Sequence, residues 1–407
     1  MRRGEARRGR LSTLAWLAGA CALVLVAAVD APASSLAAAK VLDWGGNSIG
    51  QLGNGTTTNS DVPVAVTGLG AVKKLAEDGQ SAYAVLTNGT VDAWGDNQSG
   101  ELGQGPSEHE QNESLVPEPV KGISGVTAIA AACHTAIALL SSGTVDVWGE
   151  GGGGQLAQGE KEESRALEPT AVKGLTEVKA VAAGCGSLYA LKKNGTVMAW
   201  GDNEHGQLGN GGPPGDVKEP VAVKGLKGVG AVAAGRFFAL ALVKGTVKAW
   251  GEGSVGELGN GEEKTSSNVP VAVSGLAGVK AIAGGGYNAL ALMSDTTVKS
   301  WGLNNVGQLG TGAVVGPESC EGVACAKLPT AVSGLTEVKS ISTGVFHGYA
   351  LLKNKTVKAW GDDEFGQLGN GEVTLDQPAP VSVSGLTGVA MLAVGCGGED
   401  FDSLAAT

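Results

Sequence analysis

Beyond residue 39 the apolar residues come in short runs of four to six, each closed by Gly, Asn or Asp. Ala231-Val232-Ala233-Ala234 is one such run, and Ala239-Leu240-Ala241-Leu242 and Gly245-Thr246-Val247-Lys248-Ala249-Trp250 follow it. Runs of that length, small or β-branched and bounded by turn residues, predict strands. No apolar stripe in this part of the chain recurs at the helical period. A further run carries a Pro, as in Val62-Pro63-Val64-Ala65-Val66, with equivalents at Pro117, Pro169, Pro220, Pro270, Pro329 and Pro380. Pro has no N–H to give to a ladder, so this run belongs on the edge of its sheet.

The same set of runs is repeated. Apart from Trp16, every Trp stands in a Trp-Gly pair: Trp44, Trp94, Trp148, Trp200, Trp250, Trp301 and Trp360, spaced by 50, 54, 52, 50, 51 and 59 residues. Six residues after each Trp, a Gly opens a near-constant string: GQLGNG from Gly50, GELGQG from Gly100, GQLAQG from Gly154, GQLGNG from Gly206, GELGNG from Gly256, GQLGTG from Gly307 and GQLGNG from Gly366. Four strands per unit, seven units and no helix predict an all-β chain folded as a seven-bladed β-propeller of four-stranded blades. The Ala/Gly-rich run suits the crowded axis and the Pro run the outer edge. Trp-Gly is expected to end the third strand, with the ring between blades and the Gly allowing a tight turn. The C-terminus holds only the first two runs of a unit, Met391–Val394 and Asp402–Ala406, and Lys40–Trp44 supplies a third. Pairing the two ends would close the ring and remove its open edges.

Composition narrows the reading. Aromatics are 4% of the 407 residues, so the core packs Ala, Val, Leu and Gly. Lys plus Arg is 29 against 40 acidic residues, and no basic block lies beyond residue 10, which argues against a nucleic-acid partner. Residues 1–39 read as a secretory signal: five Arg in the first ten residues, an apolar stretch from Leu14 to Val29, and cleavage after Ala33 or Ala39. An uncleaved anchor is the alternative reading. Residues 40–407 are then an exported propeller, expected to be monomeric and to have no membrane span once the signal is removed.

The unit Gly195-Thr196-Val197-Met198-Ala199-Trp200-Gly201-Asp202-Asn203-Glu204-His205-Gly206-Gln207-Leu208-Gly209-Asn210-Gly211 resembles the repeat of the regulator of chromosome condensation family. The resemblance runs over residues 40–407 and implies the same seven-bladed propeller. It leaves function open, because the family includes guanine-nucleotide exchange factors for small GTPases, a plant ultraviolet photoreceptor and secreted β-lactamase inhibitors. The family's Gly-x-x-His inner loop is intact only at Gly344-Val345-Phe346-His347; the His position is Ser81, Thr135, Ser187 and Asn288 in other units. The photoreceptor uses a cluster of loop Trp, and this chain has none. Similarity to the β-lactamase inhibitor rests on loop aromatics before Ala-Leu.

Those loops hold the candidate site. Phe237, Phe238, Phe346 and Phe401 are four of the five Phe, and Tyr287 occupies the same place in its unit. With Arg236 and His347 they form an expected partner-binding face, since converging aromatics and Arg act as interface anchors. The partner is a protein or cell-surface ligand of unknown identity; channel-capping rings are the bland alternative. Cys320 and Cys325, in the insertion from Ala313 to Lys327, are expected to form a disulfide in an exported chain. Cys133, Cys185 and Cys396 read as buried thiols, with Cys133–Cys185 pairing as the alternative. Cys133-His134 would point apart on an extended strand, so no dyad is expected. Gly46-Asn47-Ser48-Ile49-Gly50 and Gly251-Glu252-Gly253-Ser254-Val255-Gly256 mimic enzyme motifs but lack the helix each requires. Acidic loops such as Glu108, Glu110 and Glu113 lack calcium-loop spacing. No catalytic residue, metal ligand or cofactor is expected.

Overall fold

A computed structural model describes residues 40–106, 112–161, 163–262, 265–394 and 402–407. The expected signal, Cys396 and Phe401 lie outside the described residues. The strands form seven antiparallel sheets, and the helical content of the described residues is one 3-10 turn at Gly159–Lys161. Blade 4 is typical: Ala231–Ala234, Phe238–Val243, Thr246–Glu252 and Ser266–Ala272 pair in chain order. The first strands of blades 1, 2, 3, 5 and 6 begin at Val72, Val126, Val178, Val279 and Val338. First strands of successive blades lie against one another around the axis, and the Pro-bearing strands lie outside.

Blade 7 closes the ring as the runs predicted. Val41–Gly45 pairs antiparallel with Asp402–Ala406, from Val41 opposite Ala406 to Gly45 opposite Asp402, and Met391–Val394 and Ser60–Ala65 complete the sheet. Blade 5 departs from four strands. Its insertion adds a short strand, Glu318–Cys320, which turns at Glu321-Gly322 and pairs with Val323–Ala331. Both turn residues have positive φ, as a two-residue hairpin with the twist of its strands requires.

All seven repeat Trp are fully buried between blades. Each indole Nε1 donates to the main-chain carbonyl that follows the first Gly of the preceding string: Trp44 to Gln367, Trp94 to Gln51, Trp148 to Glu101, Trp200 to Gln155, Trp250 to Gln207, Trp301 to Glu257 and Trp360 to Gln308, at 2.7–3.0 Å. One polar atom on a large apolar body thus fixes the register of neighbouring blades.

The Gly after Trp has a different role from the expected one. In most blades the third strand continues past it, for example Val91–Asp96 and Val298–Leu303. These Gly have φ near +100°, the ladder to the fourth strand slips beside them, and in blades 1 to 6 an added Cβ would stand 2.1–2.3 Å from an inner-loop carbonyl. The residue accommodates a bulge and a close backbone approach rather than a turn.

Candidate binding face

The loop between first and second strands carries two consecutive residues that behave oppositely. The earlier one is Gln80, His134, Gly186, Phe237, Tyr287 and Phe346 in blades 1 to 6; its carbonyl is the one the Trp-Gly glycine approaches, and the side chains of all but Gly186 are partly exposed. The later one opens the second strand as Ser81, Thr135, Ser187, Phe238, Asn288 and His347, and is buried in every case. Strand alternation explains the contrast, since successive side chains leave opposite faces.

Two expected face residues are therefore corrected. Phe238 is 1% and His347 0% exposed, both between blades. Burial holds the His347 imidazole down to about 3, so it is neutral, and its ring meets Tyr349 edge-on. Arg236 is corrected as well: it is 3% exposed, and its guanidinium lies 4.9 Å from the Phe237 ring centre and 5.2 Å from that of Tyr287. Its Nη1 donates to the Tyr287 hydroxyl. Arg236 is thus buried against both rings rather than exposed on the rim.

Phe237, Tyr287 and Phe346 remain on the face, and the structure joins them into a strip. His205, from the third blade's Trp loop, stacks on Phe237 with ring centres 4.8 Å apart, and Tyr287 stacks on Phe346 at 5.8 Å. Glu252 accepts a hydrogen bond from His205 Nδ1, which raises the imidazole's affinity for a proton. The blade 5 hairpin supports the other end: Cys320, Cys325, Val255 and Leu303 pack against Tyr287 and Phe346. Beneath this strip Glu257 is buried, one oxygen accepting from the Val255 amide at 3.0 Å, and burial pushes its carboxyl up to about 8.

Blades 1 to 3 present no Phe, Tyr or Trp at that loop position. His134 stands there, with Nδ1 2.8 Å from Glu101 Oε1 and 3.5 Å from Asp96 Oδ2. The adjacent Glu101 carboxylate raises the imidazole to about 9 against the opposing pull of burial. Asp78 is buried alongside, and burial lifts its carboxyl to about 6. Cys133 and Cys185 are joined in a disulfide across blades 2 and 3, Cα atoms 5.1 Å apart, which corrects the expectation of thiols. Cys133 and His134 both have positive φ, so the tight loop turns the sulfur toward the next blade. Cys320–Cys325 is bridged as expected, Cα atoms 5.8 Å apart.

Sequence reasoning missed the meeting of His205 with Glu252, and that of Asp78, Asp96 and Glu101 of blade 1 with His134 of blade 2. One signal was present: Glu101 and Glu257 occupy a string position that is Gln in the other five units. Among the described residues no helix is long and apolar enough to cross a membrane.

The chain is 31% identical over 360 residues to the human E3 ubiquitin-protein ligase HERC2, which covers 86% of this chain and 6% of the ligase. It is 28% identical over 358 residues to the ultraviolet-B receptor UVR8 of Arabidopsis thaliana, covering 86% of this chain and 66% of the receptor. This chain thus spans a small part of the ligase and just under two thirds of the receptor. Among solved structures, Prp20p of Saccharomyces cerevisiae superposes with a TM-score of 0.77 at 22% identity over 91% of this chain and 92% of that one. Human WBSCR16 gives 0.78 at 22% over 90% and 100%. The regulator of chromosome condensation (RCC1) repeat matches residues 40–76, 88–139, 142–191, 194–242, 244–292, 297–351 and 357–399, so the chain belongs to that repeat family.

Proposed function

We propose that this chain is an exported, non-enzymatic propeller that captures a protein or cell-surface partner on the face built by Phe237, Tyr287 and Phe346. The observation that carries the reading is the strip itself: aromatics are scarce in the chain, yet three from successive blades stand partly exposed on one rim, with Arg236 buried beneath and a cystine hairpin beside them. Rigid rings with little rotamer entropy to lose are suited to be binding hot spots. The apolar leader and two disulfides support export. The Prp20p structure was described with its binding to Gsp1p and histones; likeness at this identity carries the fold, and nucleotide release from a purified GTPase tests exchange activity here.

The chain without residues 1–39, immobilised and exposed to surface extract and medium of the producing cell, should retain a saturable partner. Phe237→Ala, Tyr287→Ala and Phe346→Ala together should abolish that retention while circular dichroism stays unchanged. Equal retention by the triple variant would remove the aromatic face as the binding surface.

A further inference from the structure

We propose that Asp96, Glu101 and His134, with Asp78 behind them, form a binding site for a divalent transition-metal cation of the zinc or manganese type, joining blade 1 to blade 2. The three outer donors come from separate places in the chain, yet His134 Nδ1, Glu101 Oε1 and Asp96 Oδ2 all lie within 4.8 Å of one another. Donors around a tetrahedral zinc, with bonds of about 2.1 Å, sit roughly 3.4 Å apart. The His134–Glu101 and His134–Asp96 distances of 2.8 and 3.5 Å already bracket that value, so small side-chain rotations complete the cage.

Charge and burial favour a cation. Glu101 and Asp96 are almost wholly buried and His134 is 37% exposed, which leaves one route in from solvent. Asp78 supplies the independent observation. Its Oδ1 accepts from the amides of Gln80 and Ser81, its Oδ2 is buried with no hydrogen-bond partner, and its carboxyl feels both His134 and Glu101. A buried acceptor left without a donor is costly, and three carboxylates facing one imidazole carry excess negative charge even when the imidazole is protonated. A divalent cation replacing that proton offsets both. One imidazole nitrogen among carboxylate oxygens matches borderline divalent metals.

Blade 4 has the carboxylate without the imidazole. Glu257 occupies the position of Glu101, but the loop residue facing it from the next blade is Tyr287 instead of a His. In Gln units the side-chain amide does the structural work: Gln207 and Gln367 each accept from a nearby amide and donate to the Asp five residues earlier. Glu101→Gln therefore places the usual residue of the repeat beside Asp96, and should fold normally while removing one ligand.

The test uses the full chain stripped by a chelator, with ZnCl2 and MnCl2 as separate probes in equilibrium dialysis and CaCl2 as a hard-cation comparison. Wild type should take up one equivalent of zinc or manganese in preference to calcium, with a higher melting temperature when loaded. Glu101→Gln and His134→Ala should each weaken uptake at least about tenfold. Glu257→Gln should bind as wild type does. Absence of stoichiometric uptake, or uptake unaltered in Glu101→Gln and His134→Ala, would overturn the site. If His134→Ala fails to fold, Glu101→Gln decides the question alone. Partner capture reads the aromatic face separately, so either proposal can fail without the other.

Discussion

Blades 1 to 3 and blades 4 to 6 build the same loop from the same repeat, yet one half of the rim is ionic and cross-linked while the other is aromatic. Gln80, His134 and Gly186 stand where Phe237, Tyr287 and Phe346 stand. The backbone beneath is alike: in both halves the Trp-Gly glycine approaches the carbonyl of that residue within what a Cβ would forbid. The frame is thus uniform and the rim is free to differ, which is how a repeat fold acquires a site without disturbing its core. Even the cross-links differ in kind. Cys133–Cys185 spans 52 residues and ties two blades, whereas Cys320–Cys325 spans 5 and stiffens one hairpin.

That difference yields the largest expected effects. Loop-closure entropy assigns about 4 kcal/mol to a disulfide closing a loop of this first size and about 2 kcal/mol to the second. Cys133→Ala with Cys185→Ala should lower the denaturant midpoint more than Cys320→Ala with Cys325→Ala. Partner capture should follow the opposite order, because the hairpin packs on Tyr287 and Phe346. If the hairpin pair proved the more destabilising, the two halves would not divide stability and recognition as argued.

Next come the two carboxylates that replace Gln. Glu101 has a histidine for a partner; Glu257 has none and holds its proton up to about 8 because it is buried. Below the ordinary glutamate value of 4.5 the group is protonated in both folded and unfolded chains and costs nothing. Between 4.5 and 8 the unfolded chain ionises while the folded chain keeps its proton, so stability falls as pH rises and levels off above 8. Glu257→Gln should therefore be neutral at pH 4 and gain roughly 2–4 kcal/mol by pH 8.5, read from urea midpoints. Glu101→Gln should bring no such gain, since it breaks an ion pair. A pH-independent effect of Glu257→Gln would place the burial cost elsewhere.

The ring was legible because its determinants are local and repeated. Trp-Gly, the Pro run and the truncated last unit each carry positional meaning, and the pairing of Val41–Gly45 with Asp402–Ala406 follows from counting runs. The rim was legible only by loop. The sequence places Phe237 and Phe238 together, and only the alternation of the second strand separates a surface ring from a core ring. His205 meets Phe237, and His134 meets Glu101, across blade boundaries, and no spacing within a unit encodes those contacts. The Cys133–Cys185 bridge was legible only as an alternative to thiols, because the positive φ of Cys133 is a property of the tight loop, absent from the extended strand assumed for it.

The smallest expected effect lies in the string GQLAQG, where blade 2's loop departs from its six counterparts. Ala157 has φ +53°, where the others place Gly at φ between +58° and +67°. The second Gly of each string lies under the Trp of the next blade; at Gly259 an added Cβ would come within 2.8 Å of Trp301 Nε1 and of Val273. Ala157 packs in the same cluster as Trp200, so that part of the ionic half already carries left-handed strain and a methyl under its indole. An L-residue in this conformation costs about 1–2 kcal/mol, partly offset because Ala loses less chain entropy on folding than Gly. Ala157→Gly should therefore stabilise by roughly 0.5–1 kcal/mol, and Gly259→Ala in the aromatic half should destabilise by at least about 1 kcal/mol. Paired melting curves measure both. If Ala157→Gly instead lowered the melting temperature, blade 2 would have repacked around its methyl, and the uniform frame beneath the two halves would hold only for six of the seven loops.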